Sequence, residues 1–281
     1  MFDVNVNLPD WPEKFMLEVY SDTASPAAKE LGESLKKMVG AIKCVTIPFA
    51  MMGYTAEYLE ERYIHFLEES LKTIKRENLQ KPNPVIASQI IRDVVYAFDQ
   101  KDLYNLYKNL LSSASDKTRN PLVHPSFVSC IAQLDSIDIS ILEQISSKNF
   151  VPYVEIVMNG RLRSNSPILP MIEPFTLIKN YENEFGLIMR SIHNLQHLGI
   201  IYKVPNLYVG NQDKVFDSIL SSSIYDNYRQ VVSPTFDSFA SSNFDFNVVK
   251  GNLTATYYGK SFIAACKMNP SSIQQTQNNN D

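Results

Sequence analysis

The stretch YENEFGLIMRSIHNLQHLGIIYK, residues 181–203, decides the fold of the second half of the chain. Phe185, Ile188, Met189, Ile192 and Leu195 recur at steps of three and four, so they share one face of a helix expected from about Tyr181 to Leu198. Gly199 stands where that helix ends, because the residue past a last turn commonly takes a left-handed backbone that glycine adopts without penalty. Ile200, Ile201, Tyr202 and Lys203 follow directly and read as a strand. A helix running straight into a strand makes this half α+β rather than a pure bundle.

Upstream, Asp135 or Ser136 caps a helix carrying Ile137, Ile141, Leu142 and Ile145. Residues 149–178 hold Pro152, Pro167, Pro170 and Pro174 and show no clear period. Downstream, residues 204–243 read as an insertion with one helix around Lys214 to Tyr228. Phe244 to Val249 and Leu253 to Thr256 are expected to pair as a hairpin across Lys250-Gly251-Asn252, a turn-like triplet. A last helix carries Tyr258, Phe262, Ala265 and Cys266, and the Gln- and Asn-rich tail from Pro270 reads as disordered. The order helix, helix, strand, hairpin, helix is that of a winged helix, an analogy of fold that carries no function by itself.

The first half reads differently. Residues 1–24 look like an irregular arm. Ser25-Pro26 starts a helix whose face is Ala27, Leu31, Leu35, Met38 and Ile42. From Met38 to Gly53 the chain is mostly apolar, interrupted by Lys43 and Pro48. A membrane span needs roughly 20 apolar residues, so this stretch reads as a buried helix broken near Pro48. A second helix, Thr55 to about Arg76, presents Leu59, Tyr63, Phe66, Leu67, Leu71 and Ile74. Asn83-Pro84 opens a third with Ile86, Ile90, Val94 and Phe98. Leu103, Leu106, Tyr107, Leu110 and Leu111 define a fourth, and Phe127, Ile131 and Leu134 a short fifth. The expected organisation is therefore mainly α: an arm at 1–24, a helical bundle at 25–134, a winged-helix-like α+β domain at 135–267 with its insertion at about 204–243, and a tail at 268–281.

Charge and cysteine usage narrow the function classes. The net charge is −4, which weighs against affinity built on neutralised phosphates. The three cysteines, Cys44, Cys130 and Cys266, are odd in number, far apart in sequence and set in apolar stretches, so they read as free buried thiols of a reducing compartment, the cytoplasm. Met1 to Trp11 carries Asp3 and Asp10 and lacks the basic and apolar regions of a secretory signal.

Four constellations resemble chemical sites. Gly259-Lys260-Ser261 looks like the end of a phosphate-binding loop, but Thr254 stands where that loop needs its first glycine, so a helix-entry turn is the better reading. His193 and His197 are four apart on one helix, yet Asn194 occupies the place of the glutamate a zinc protease uses as base, and no third ligand is evident. His124 and Cys130 lie six apart across Pro125, where an inert thiol outweighs a nucleophile. Lys179 and Arg190, with Arg161 and Arg163 nearby, form a thin basic set along the expected recognition helix, diluted by Glu182 and Glu184. No catalytic residue, cofactor or metal is expected from these patterns.

A longer series of words resembles the abortive-infection alpha family. It runs Ser25-Pro26-Ala27-Ala28, Glu30-Leu31-Gly32, Gly53-Tyr54, Pro82 with Pro84, Leu110-Leu111 with Asp116, and His124-Pro125-Ser126-Phe127. Gln133-Leu134, Asp138, Ile141-Leu142, Leu195 with Leu198-Gly199-Ile200-Ile201, and Leu253-Thr254 with Gly259, Phe262 and Cys266 complete it, over about 25–267. The resemblance implies a bacterial or phage-linked defence protein inside the cell, and it transfers no catalytic residue. The function expected is a non-enzymatic antiphage factor acting through a host or phage protein partner. The alternatives are a winged-helix nucleic-acid-binding regulator and a membrane-perturbing effector using Met38 to Gly53.

Overall fold

The computed structural model describes residues 55–160, 169–181, 184–206, 213–223, 225–227, 230 and 244–268. The expected arm, first helix, apolar segment at 38–53 and tail from 269 lie outside them. The described residues are mostly helical, with a small four-stranded antiparallel sheet. The chain divides into two compact units, the first Met1–Gln133 with Ala264–Lys267, the second Leu134–Ile263 with Met268–Asp281.

In the first unit α1 spans Ala56–Leu71, and Thr55 caps it by accepting from the Tyr58 amide. Leu59, Tyr63, Phe66, Leu67 and Leu71 are buried along it, the three-and-four spacing read in the sequence. Asn83 caps α2, Pro84–Asp93, with Pro84 in the first turn. A 3-10 turn, Val94–Ala97, continues it and carries the buried Val94. Helix α3, Lys101–Ala114, and the short α4, Ser126–Ile131, complete the set. Tyr63 meets Phe98 edge to face at 5.1 Å and donates its hydroxyl to the Ile91 carbonyl. Hydroxyl and guanidinium donors hold the segment Ala264–Lys267: Ser113 bonds the Ala265 carbonyl at 2.6 Å, and Arg119 bonds that of Ala264. Lys267 has a left-handed φ of 51° and reaches Ser112 at 3.0 Å.

In the second unit Asp135 caps α5, Ser136–Lys148. Strand β1, Val151–Gly160, lies between β2, Leu169–Phe175, and β4, Phe244–Ala255, and β3, Ile201–Pro205, closes the order β2-β1-β4-β3. Helix α6, Phe185–His197, precedes β3 and starts at the first of its apolar residues, not at the expected Tyr181. Its end is as expected: Gly199 has φ 69°, its amide bonds the Gln196 carbonyl, and the Ile200 amide bonds that of Leu195. Helix α7, Asp213–Leu220, buries Phe216 and Ile219 and packs on β1; it covers only the first part of the helix expected at 214–228. Helix α8, Tyr257–Ala265, closes the series.

Two expectations need correction. The hairpin across Lys250-Gly251-Asn252 is absent, because β4 runs unbroken through it. Lys250, Gly251 and Asn252 pair with Val154, Tyr153 and Pro152 of β1, while Gly251 and Asn252 also pair with Pro205 and Val204 of β3. Ladders on both sides hold the triplet extended. The glycine serves close approach instead of turning, since a Cβ there would lie 2.6 Å from the Val204 carbonyl oxygen and 2.8 Å from the Tyr153 ring. The aperiodic region 149–178 also contains two strands. Pro170 and Pro174 fall on β2, an edge strand, where a missing N–H is tolerated.

Candidate functional site

Polar side chains of the second unit gather at two places. At the first, α5 begins with a reciprocal cap. Asp135 Oδ1 accepts from the Ile137 and Asp138 amides, and Asp138 Oδ2 accepts from the Asp135 amide. The i,i+3 spacing of the two aspartates is what allows this. Helix α6 adds three donors: Arg190 to Asp135 Oδ2, Ser191 to Asp135 Oδ1 at 3.4 Å, and Asn194 to Asp138 Oδ2 at 2.9 Å. Asp138 is 2% exposed, and its Oδ1 is buried with no hydrogen-bond partner. Burial pushes its carboxyl up to about 6, helped by the charge of Asp135 and opposed by the bonds from the Asp135 amide and Asn194 and, least, by the neighbouring Ser191 hydroxyl that bonds Asp135.

At the second place, one face of the sheet aligns Tyr153 and Glu155 of β1, Gly251 of β4 and Lys203 of β3. Because Gly251 has no side chain, Lys203 can cross β4 and donate to Glu155 at 2.7 Å, its ammonium 6.0 Å from the centre of the Tyr153 ring. Glu155 and Tyr153 are buried, and the Tyr153 hydroxyl has no hydrogen-bond partner. Burial raises that phenol well above its ordinary value.

The residues singled out in the sequence fall as follows. Arg190 is spent on Asp135, although its side chain is 61% exposed. Lys179 is exposed, and Arg161 and Arg163 lie outside the described residues. His193 is exposed and pairs with Glu173 of β2 at 3.0 Å; His197 is exposed one turn on. Among the described residues no group of three or more His, Cys, Asp or Glu gathers as a metal site would require. His124 is exposed and its Nδ1 meets the Ser126 hydroxyl, whereas Cys130 is buried and in no disulfide. Cys266 is also buried and in no disulfide, its pKa raised by burial. Gly259 is the third residue of α8, with Thr256 as cap accepting from its amide. A Cβ at Gly259 would lie 2.0 Å from the Ile200 carbonyl oxygen, so this glycine exists for packing and the helix-entry reading of Gly259-Lys260-Ser261 holds.

In the first unit, Glu69 accepts from Tyr104 at 3.0 Å, pairs with Lys108 at 3.7 Å and lies 3.7 Å from the His65 ring. A cleft of about 240 Å³ lies between α2 and α4, lined by Gln89, Arg92, Asp93, Pro125, Ser126, Val128 and Ser129. Asp93 clamps Arg92 there with two bonds, at 2.6 and 3.0 Å. Val85 and Tyr96, also on the α2 segment, are 56% and 54% exposed. The sequence reading missed the Asp138 cluster as a cluster; the signal was the Asp135-x-x-Asp138 spacing ahead of an apolar run. The Glu155–Lys203 pair had no local signal, since its partners come from strands joined only by the sheet.

The comparisons with known proteins bear on identity. A family model described as abortive infection alpha matches residues 55–266. A search of curated proteins finds no match. An uncharacterized protein from the hydrocarbon-degrading marine bacterium Alcanivorax borkumensis SK2, of solved structure, aligns at 11% identity and a TM-score of 0.33, covering 54% of this chain and 96% of that one.

Proposed function

We propose, from the premise that this chain belongs to the abortive infection alpha family, that it is an antiphage defence factor acting in the cytoplasm through protein contacts and without a chemical step of its own. The family match over 55–266 is the observation that carries this reading. The non-enzymatic part is supported by where polar side chains are engaged: Arg190 on Asp135, Lys203 on Glu155, His193 on Glu173, each a partner within the fold. The exposed Val85 of α2 and Tyr96 of the turn that continues it are the side chains on which a partner is sought.

The test is a phage challenge of a bacterial host expressing the chain. Plating efficiency should fall, and the protection should survive Asp138→Asn and His193→Ala but not Val85→Asp with Tyr96→Asp. Undiminished plating across a broad phage panel overturns the defence role. Loss of protection in a folded His193→Ala protein overturns the non-enzymatic part.

A second reading takes the second unit as winged-helix-like and nucleic-acid-binding, favoured by the exposed Lys179 shortly before α6. It expects a salt-sensitive mobility shift with DNA or RNA, weakened by Lys179→Ala. No shift at low salt removes it.

A further inference from the structure

Asp138 does more than complete a helix cap. One of its oxygens, Oδ2, takes hydrogen bonds from the Asp135 amide and the Asn194 side chain, tying the start of α5 to α6. The other, Oδ1, is buried and unpartnered. A buried carboxylate oxygen without a donor is a costly state, and a proton relieves it by removing the charge. The charged groups facing Asp138 are Asp135 on its own helix and, from α6, Arg190, which Asp135 already engages. Helix α6 otherwise presents the neutral Ser191 and Asn194. Strands β1 and β4 also pack on α5, and among the described residues no charged group of theirs acts on Asp138.

We infer that the α5–α6 junction is a proton-linked latch: Asp138 takes up a proton on acidification, and the two helices then hold together more firmly. The sign follows from the carboxyl's rise from an ordinary 3.8 to about 6. The closed junction binds the proton more tightly than the opened chain does, so closure gains as pH falls from about 6 toward 3.8 and loses that gain as pH rises again.

The experiment is carbon-detected NMR titration of the Asp138 carboxyl in the full chain, with amide hydrogen exchange at the first turn of α5. The carboxyl is expected to titrate near pH 6, and Asp135→Asn, which keeps a good cap but removes the neighbouring charge, should move that midpoint down. After correction for intrinsic exchange, opening at Ile137 and Asp138 should become roughly 30-fold rarer between pH 7 and pH 4.5 in the native chain, from the linkage of those two pKa values. It should change little over that range in Asp138→Asn, which retains an acceptor oxygen for both bonds. A carboxyl titrating at pH 4 or below overturns the latch, as does an unchanged exchange profile in Asp138→Asn. If that variant does not fold, the native titration decides alone.

Discussion

Gly259 looks in sequence like a remnant of a phosphate loop and is in fact a spacer. Its hydrogen faces the Ile200 carbonyl at a distance no methyl group fits, so Gly259→Ala forces α8 and the backbone at Ile200 apart. The expected cost is at least about 3 kcal/mol, at the upper end of overpacking penalties because the obstacle is backbone and not a movable side chain. Denaturant unfolding of the variant checks it; a change under about 1 kcal/mol would mean that the contact relaxes cheaply. Thr256 beside it accepts from the Gly259 amide and donates to the Gly199 carbonyl at 2.6 Å, so the same few atoms cap one helix and close the end of another.

Among the elements, β4 is the one the sequence misled about most. Its Lys250-Gly251-Asn252 carries turn composition, and only the neighbours on both sides make it strand. Amide exchange at Gly251 and Asn252 is expected to be as slow as at Leu253; fast exchange confined to 250–252 would restore the hairpin. The Glu155–Lys203 pair across β4 gives a second test. Glu155→Ala leaves the Lys203 ammonium without its carboxylate and is expected to cost about 1–2 kcal/mol, below the roughly 3–5 of a fully buried pair, because Lys203 keeps part of its side chain in water. Replacing both with apolar residues should recover most of that loss.

Helices were legible wherever one face alone is buried, as in α1, α2, α3 and α6, because the period of 3.6 then shows in the apolar residues. Strand β1 is buried on both faces from Val151 to Met158 apart from Pro152 and has no alternation to read. Gly199 was legible because its role is local. Glu155 with Lys203, and Asp138 with Asn194, were not, because the partners are far apart along the chain.

At the scale of the whole molecule, burial is spent on phenols as well as on aliphatic groups. Tyr63 and Tyr107 in the first unit and Tyr153 in the second all have pKa values raised, burial being the largest cause. The folded form holds these protons more tightly than the unfolded chain. The stability this gives is complete below the unfolded value of about 10 and is lost as pH rises past it. The chain should therefore unfold in alkali, with these tyrosines ionising in step with the loss of near-ultraviolet circular dichroism. Exposed phenols ionise at about pH 10 in any case, so the contrary result is absorbance for all 15 tyrosines developing at about pH 10 in a still-folded protein. Among the described residues no helix is long and apolar enough to cross a membrane.

The place of β4 in the sheet has a consequence for how the protein is made. Its partners β1 and β3 are translated well before it, and neither backbone is tied into the sheet with the other except through it. A nascent chain that has emerged only as far as Pro205 holds both strands with their common neighbour still unsynthesised. The second unit therefore closes late, when Phe244–Ala255 leaves the ribosome and threads between two strands already waiting. A message truncated upstream of Phe244 would yield a polypeptide with two unsatisfied strand edges, a species for chaperones and proteases to remove.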